Sequence, residues 1–253
     1  MSERVSIVMP AFNSGMFISQ SIESVINQSF QDWELIIIND CSIDNTKNIA
    51  LQYSQTDSRI KVYDNKQNLG VSYSRNRGID YSNSKWIAFL DSDDIWEPDK
   101  LEKQLNFASR MNASFIFTAV KYIDVKGVEF KGQFKVPSFV DFDKLKYQNY
   151  ISCSSVLIKK STIGSVRMYN DRMHEDYAFW LQILKKNQVA YGLNEPLLVY
   201  RISRESKSGN KVRTLKMTFM VFRHLGFNFI EATTFALSHI LRSLLKYYLI
   251  FRR

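Results

Sequence analysis

Two cysteines, four prolines and no apolar run of membrane-spanning length define what this 253-residue chain does without. Cys41 and Cys153 are too few for a disulfide framework, and the opening Met-Ser-Glu-Arg-Val has no apolar secretory segment, so a reducing, cytosolic setting is expected. In the C-terminal part the longest stretch free of charge runs from Ala232 to Leu241, well short of the roughly 20 residues a spanning helix requires. No Gly-x-Gly-x-x-Gly follows the first apolar run, which disfavours a dinucleotide-dependent dehydrogenase or epimerase. Negative charge is also short: 34 Lys and Arg face 25 Asp and Glu, a formal charge of +9. Such an excess calls for an anionic partner, whether nucleic acid, a phosphorylated small molecule or an anionic membrane surface. The basic residues gather in the tail beside apolar ones rather than on an aromatic RNA-type platform, which argues against nucleic acid.

What is present is a repeated unit. Val5 to Met9 is an apolar run that stops at Pro10-Ala11-Phe12-Asn13-Ser14-Gly15, after which Phe17, Ile18, Ile22, Val25 and Ile26 recur at helical spacing. Trp33 to Ile38, the polar loop 39–44 and a helix from Asn45 to Tyr53 repeat the pattern. Ile60 to Tyr63, the turn Asn68-Leu69-Gly70 and a helix from Val71 to Tyr81 repeat it again. Strands alternating with helices of about ten residues imply βαβ units and a mainly parallel sheet flanked by helices, an α/β fold. The loops at 10–15, 39–44, 65–70 and 91–95 then share one edge of that sheet and converge on a crevice.

The fourth strand, Trp86 to Leu90, ends in Asp91-Ser92-Asp93-Asp94. Its apolar residues read as buried on both faces, which leaves the acids at the carboxyl end, where ligands of open α/β sheets collect. Packed carboxylates repel one another, and a hard divalent ion, Mg²⁺ or Mn²⁺, bridging them to phosphate oxygens offsets that. The plainer reading is a solvated acidic turn before the helix that follows Pro98. Further on, the sequence predicts a surface helix over 99–111, a strand over 115–120, a lysine-bearing hairpin over 121–137 turning at Gly127 and Gly132, and a strand over 156–158. A charged loop over 167–176, a helix over 177–186 and strands over 189–193 and 197–202 complete a mixed half.

Five stretches carry a resemblance. They are Val-Ser-Ile-Val-Met-Pro-Ala-Phe-Asn (5–13), the segment 24–44 containing Trp-Glu-Leu-Ile-Ile-Ile-Asn-Asp-Cys-Ser, Asn-Leu-Gly-Val-Ser-Tyr-Ser-Arg-Asn-Arg-Gly (68–78), Phe-Leu-Asp-Ser-Asp-Asp-Ile-Trp (89–96) and His-Glu-Asp-Tyr-Ala-Phe-Trp-Leu (174–181). In this order they resemble the family 2 glycosyltransferases, inverting enzymes of the Rossmann-like GT-A fold, over residues 4 to about 205. The resemblance implies a nucleotide-diphosphate-sugar donor, a UDP-sugar for preference. Pro10 and Phe12 in the first loop and Asp40 in the second would line its base pocket, since a uracil-like base needs an aromatic platform and an acceptor for its ring N–H, and Asn13 and Asn39 would bind the donor beside them. The chain departs from the family's usual Tyr at Phe12 and from Asp-Asp-Gly-Ser at Asn39-Asp40-Cys41-Ser42.

The same resemblance puts Arg75 near the donor pyrophosphate, Asp91 and Ser92 on the donor, and the metal on Asp93 or Asp94; it lets Arg201 close over the phosphates, with Arg77 left as a surface residue. Inversion needs a carboxylate to take the acceptor's proton. Asp176 is assigned as that base, with Glu175 the alternative, although an acidic pair also suits a helix N-terminus for structural reasons alone. His174 is read as a loop residue rather than a metal ligand.

Residues 1–205 are therefore expected to form the catalytic domain and 206–253 a helical, basic and aromatic appendage after the polar stretch 204–211. In the tail Arg242 and Lys246 lie on one helical face, with Leu241, Leu244, Leu245, Tyr248 and Leu249 on another. That pattern suits the interface of an anionic bilayer, which would hold the enzyme on the cytosolic face of the membrane beside a lipid-linked saccharide or growing polysaccharide acceptor. The alternative is a helix pair folded back on the catalytic domain.

Overall fold

The computed structural model describes residues 3–132, 135–170, 172–186, 188–202 and 211–251. Its first half repeats strand, loop and helix: β1 (Val5–Ala11), α1 (Ile18–Ile26), β2 (Trp33–Asn39), α2 (Thr46–Thr56), β3 (Ile60–Asp64), α3 (Val71–Tyr81) and β4 (Trp86–Phe89). Then come β5 (Ile95–Trp96), α4 (Lys100–Met111), β6 (Phe115–Asp124), β7 (Phe139–Val140), α5 (Phe142–Tyr147), β8 (Leu157–Lys159), α6 (Lys160–Ile163), α7 (Glu175–Leu184), β9 (Ala190–Ile202), α8 (Lys211–His224) and α9 (Phe229–Phe251). Among the described residues all the strands join one sheet, in the order β3-β2-β1-β4-β8-β6-β9-β5, with β7 added to β9. The first four strands pair in parallel, and β8 then enters antiparallel between β4 and β6.

Alternation along each strand decides what faces what. In β1 Val5, Ile7 and Met9 pack with α1, α2 and α4, while Val8 joins the opposite core with Ile79 of α3 and Phe179 and Trp180 of α7. In β4 Trp86 and Ala88 take the first side and Ile87 and Phe89 the second. The sheet is thus the middle of three layers, as the doubly apolar strands predict. Gly78 lets α3 lie against β1, since a Cβ there would stand 2.3 Å from Val8 Cγ1.

The strand order reverses its direction of growth between β1 and β4, and there a crevice opens at the carboxyl edge. The β1–β4 ladder ends at Val8 and Phe89, so Pro10, which has no N–H to give, lies past the last paired position. Leu90 still donates to the Val8 carbonyl, and the chain then turns away, leaving Asp91 to Asp93 at the gap.

Several expectations need correction. The two strands expected over 189–202 are one, β9, which absorbs Pro196 through register shifts opposite Thr118 and Ala119 of β6. β5 and α5 carry no strong periodicity in the sequence; α5 is capped by Asp141, whose side chain accepts from Lys144 N at 2.8 Å. The expected hairpin turns at Gly127, φ 84°, but shows a single bridge, Ile123 to Glu129, among the described residues. The polar stretch 204–211 falls almost wholly outside those residues, as does the expected boundary at 205. Past it, Val221, Phe222 and Ala232 are buried in the same core as Tyr177 and Trp180, so α8 and α9 fold back on the catalytic layer. No helix among the described residues is long and apolar enough to cross a membrane.

Candidate active site

A cleft of about 800 Å³ runs along the carboxyl edge, and the converging loops build its first wall. Asn13 adopts φ 48°, a left-handed turn that asparagine tolerates, and its neighbour Phe12 is left 49% exposed at the mouth. Asn13 Oδ1 accepts from Ile43 N at 3.0 Å and its own N–H donates to Ser42 Oγ at 3.1 Å, which ties the first loop to the second. Asp40 is buried and fastens the third loop: its carboxylate accepts from Leu69 N, Gly70 N and Asn65 Nδ2 at 2.9, 2.7 and 2.6 Å. Among the described residues one carboxylate oxygen takes only the Gly70 bond, so it keeps a lone pair at the cleft wall.

Deeper in the cleft two carboxylates hold one guanidinium. Arg75, buried on α3, donates to Asp91 Oδ1 at 2.5 Å and to Glu175 Oε1 at 3.0 Å. Burial works against its charge, but Asp91, Cys153 and Glu175 together more than compensate and raise its pKa well above the usual value. Asp93 lines the cleft beside them, its carboxyl pushed up to about 6 by burial and then by the charge of Asp91. Asp176 stands partly open at the first turn of α7, with Oδ1 accepting from Tyr177 N at 2.7 Å. Its carboxyl too is pushed up to about 6, by burial first and by Glu175 second, although a helix N-terminus favours the anion.

Pro10, Phe12, Asn13, Asp40, Arg75, Asp91, Ser92, Asp93, Glu175 and Asp176 therefore share one cleft, as expected from the sequence. Three expected residues do not line it. Asn39 donates to Asp64 Oδ1 at 2.8 Å and accepts from Ser42 N, bracing β2 and its loop. Asp94 is buried behind the cleft, its Oδ1 accepting from Arg201 N at 3.1 Å; burial, then Asp93 and Asp91, raise its pKa well above the carboxylate range. Arg201 is buried as well, donating to the Asp93 carbonyl and Gln20 Oε1 with its guanidinium 4.4 Å from the Phe17 ring, so here it is a strut between β9 and α1. Arg75 is also committed to carboxylates, which leaves its charge within reach of the cleft but shared.

The sequence model of the family described as "Glycosyl transferase family 2" matches residues 6–177, about two thirds of the chain and the whole wall from β1 to the start of α7. The chain belongs to glycosyl transferase family 2. This glycosyltransferase is 37% identical over 230 residues to TuaG of Bacillus subtilis, named as a teichuronic acid biosynthesis glycosyltransferase, with 90% of this chain and 91% of that one covered. It is also 37% identical over 215 residues to the Escherichia coli UDP-Glc:alpha-D-GlcNAc-diphosphoundecaprenol beta-1,3-glucosyltransferase WfgD, covering 84% and 82%. In fold it matches S. aureus TarS 1-349 in complex with UDP-GlcNAc at TM-score 0.72 and 17% identity, over 97% of this chain and 72% of that one. The Pyrobaculum calidifontis mannosyltransferase PcManGT, in complex with GDP-Man and Mn2+, gives TM-score 0.70 at 11% identity, over 93% and 69%. Both likenesses place the chain in the GT-A fold.

GT-A enzymes of this family typically work with a divalent ion, and the cleft offers it oxygen ligands. No group of three His, Cys, Asp or Glu side chains is arranged as a ready metal cage among the described residues. Asp93 and Asp91 nonetheless supply hard oxygens at one point of the cleft, which suits an ion held by one or two carboxylates and completed by substrate phosphates. Asp93, raised by burial and repulsion, is the group that such a charge would relieve. Residues of the cleft that sequence reasoning left out come from loops without periodicity, Gln148 to Ser154, and from the C-terminal helices: Thr214, His239 and Ser243. Their signal was slight, the i, i+4 spacing of His239 and Ser243.

Proposed function

We propose that this glycosyltransferase moves a sugar, with inversion, from a UDP-sugar to a hydroxyl of a lipid-linked saccharide in the building of a surface polysaccharide. The observation that carries the reading is that one cleft holds Phe12 beside Asp40, the carboxylates Asp91 and Asp93, and Asp176, which forms no ion pair among the described residues. Phe12 offers its ring face and Asp40 its spare lone pair to the nucleobase. Asp91 and Asp93 would hold a divalent cation, Mn²⁺ or Mg²⁺, which when bound supplies Lewis-acid stabilisation of the departing diphosphate.

Glu175 is tied to Arg75, so the proton falls to Asp176. As the acceptor oxygen bonds to the anomeric carbon, the bond from that carbon to the diphosphate breaks, Asp176 takes the hydroxyl proton, and UDP leaves from the opposite face. Arg75 holds Asp91 and Glu175 in place and lends positive charge behind the phosphates. The relatives named for teichuronic acid synthesis and for a diphosphoundecaprenol acceptor support the acceptor class.

The outer face of α9 supports a membrane surface as the working place. Ile230, Leu237, Leu241, Leu244, Leu245 and Tyr248 are all exposed there, with Arg242 exposed at the margin. An apolar stripe with a basic margin suits an anionic bilayer interface. The deciding experiment is calorimetry of UDP, GDP and dTDP with and without Mn²⁺. Metal-dependent UDP binding is expected, and binding of none of the three would overturn the donor assignment.

A further inference from the structure

The family match ends at residue 177, yet the cleft does not. Its far wall is made by the C-terminal helices: Thr214 on α8 and His239 and Ser243 on α9 line the same space as Asp176. His239 and Ser243 are one turn apart, so both fall on one face of α9. That face is opposite the exposed leucines, since Leu237 and Leu241 lie half a turn away from His239.

This wall stands beside the proposed base, on helices that follow it in the chain. The His239 ring centroid is 6.4 Å from that of His174 and 5.2 Å from that of Tyr177, and those two residues flank Glu175 and Asp176. Phe12 and Asp40 belong instead to the β1 and β2 loops. In-line displacement with inversion fixes what each side is for, because the incoming oxygen and the outgoing diphosphate occupy opposite faces of the anomeric carbon. Groups beyond the base, on the side away from the diphosphate, can only meet the acceptor.

Their chemistry fits a sugar. An imidazole and two hydroxyls are joined at this end by the amides of Gln148 and Asn149, all of them groups that donate and accept, with no net charge demanded of the ligand. We propose that α8 and α9 form the acceptor subsite, in which His239 and Ser243 hold the hydroxyls of the terminal saccharide of a lipid-linked acceptor and so set which sugar is extended. The proposal rests on the donor reading above. It also gives α9 one task on each face: His239 and Ser243 grip the saccharide, while the outward leucines meet the layer in which its lipid is anchored.

The test uses the full chain, membranes of its own cell as the acceptor source, and radiolabelled UDP-glucose and UDP-N-acetylglucosamine. The variants are His239→Ala, Ser243→Ala and the more conservative His239→Gln. Expected are a tenfold or greater rise in the membrane amount giving half-maximal transfer for His239→Ala, a smaller rise for Ser243→Ala, and partial recovery with Gln. UDP affinity and melting temperature should stay at the parent values. Unchanged acceptor saturation in both alanine variants would overturn the subsite, as would a loss of UDP affinity equal to the loss of transfer, which would put His239 on the donor side. A parent chain that binds no UDP would bring down the donor reading and this inference with it; a parent that binds UDP while the variants saturate normally would bring down this inference alone.

Discussion

Asp176 has a neighbour that is already spoken for, and that asymmetry distinguishes two adjacent carboxylates. Glu175 is held at 3.0 Å by Arg75, whereas Asp176 meets only a backbone N–H among the described residues and opens to the cleft. Asp176→Asn should lower the rate of transfer by about 10²- to 10⁴-fold, the usual worth of a positioned base, while UDP affinity by calorimetry stays within about twofold. The base acts as a carboxylate, and burial followed by Glu175 has raised its pKa to about 6. Turnover should therefore be level above about pH 6 and fall about tenfold per unit of pH below it, and a profile flat through that region would remove Asp176 from the role. Asp93→Asn should abolish the Mn²⁺-dependent part of UDP binding and leave the metal-free part, which titrations with and without a chelator would separate. Arg75→Met removes the buried guanidinium that Glu175 and Asp91 share, and a loss of about 3 to 5 kcal/mol in denaturant unfolding is expected.

Helices and strands place these groups through close packing, and α3 shows how little room is spare. It carries Arg75 toward the cleft only because Gly78 lies against Val8 of β1. Gly78→Ala puts a methyl 2.3 Å from Val8 Cγ1, so the helix or the strand must shift. A loss of about 1 to 3 kcal/mol on thermal or denaturant unfolding is expected from such overpacking. β9 is a second case. Its long run through Pro196 brings Tyr200 to the cleft and Arg201 behind the acids, and β5 closes on it through Ile95 and Trp96. The acids are thus braced from beneath, by Arg201 on the Asp93 carbonyl and the Asp94 carboxylate.

Over the molecule, the C-terminal helices join what the chain order separates. Val221 and Phe222 of α8 and Ala232 of α9 sit in the core with Tyr177, so removing residues 211–253 should strip a wall from that core and lower the melting temperature sharply. Truncation cannot then isolate a membrane role, and surface substitution can. Leu241→Glu with Leu245→Glu alters only exposed positions. This pair should abolish flotation with vesicles containing anionic phospholipid and leave UDP binding intact. Unaltered flotation would remove the membrane role from this face.

The alternating units, the burial of β1, β2 and β4 and the position of the acids were all legible in the chain, because periods of 2 and 3.6 residues and the end of an apolar run are local properties. So were ten of the residues that line the cleft, through the resemblance of their motifs. Where Asn39, Asp94 and Arg201 point was not legible, since the partners that turn them from the cleft, Asp64, Arg201 and Gln20, stand 25, 107 and 181 positions away and only the folded sheet brings them close. The tail shows the same division. Its amphipathic pattern follows from residue order, but which side of α9 would meet Tyr177 and the cleft, and which would stay exposed, depended on where the folded core had room for it.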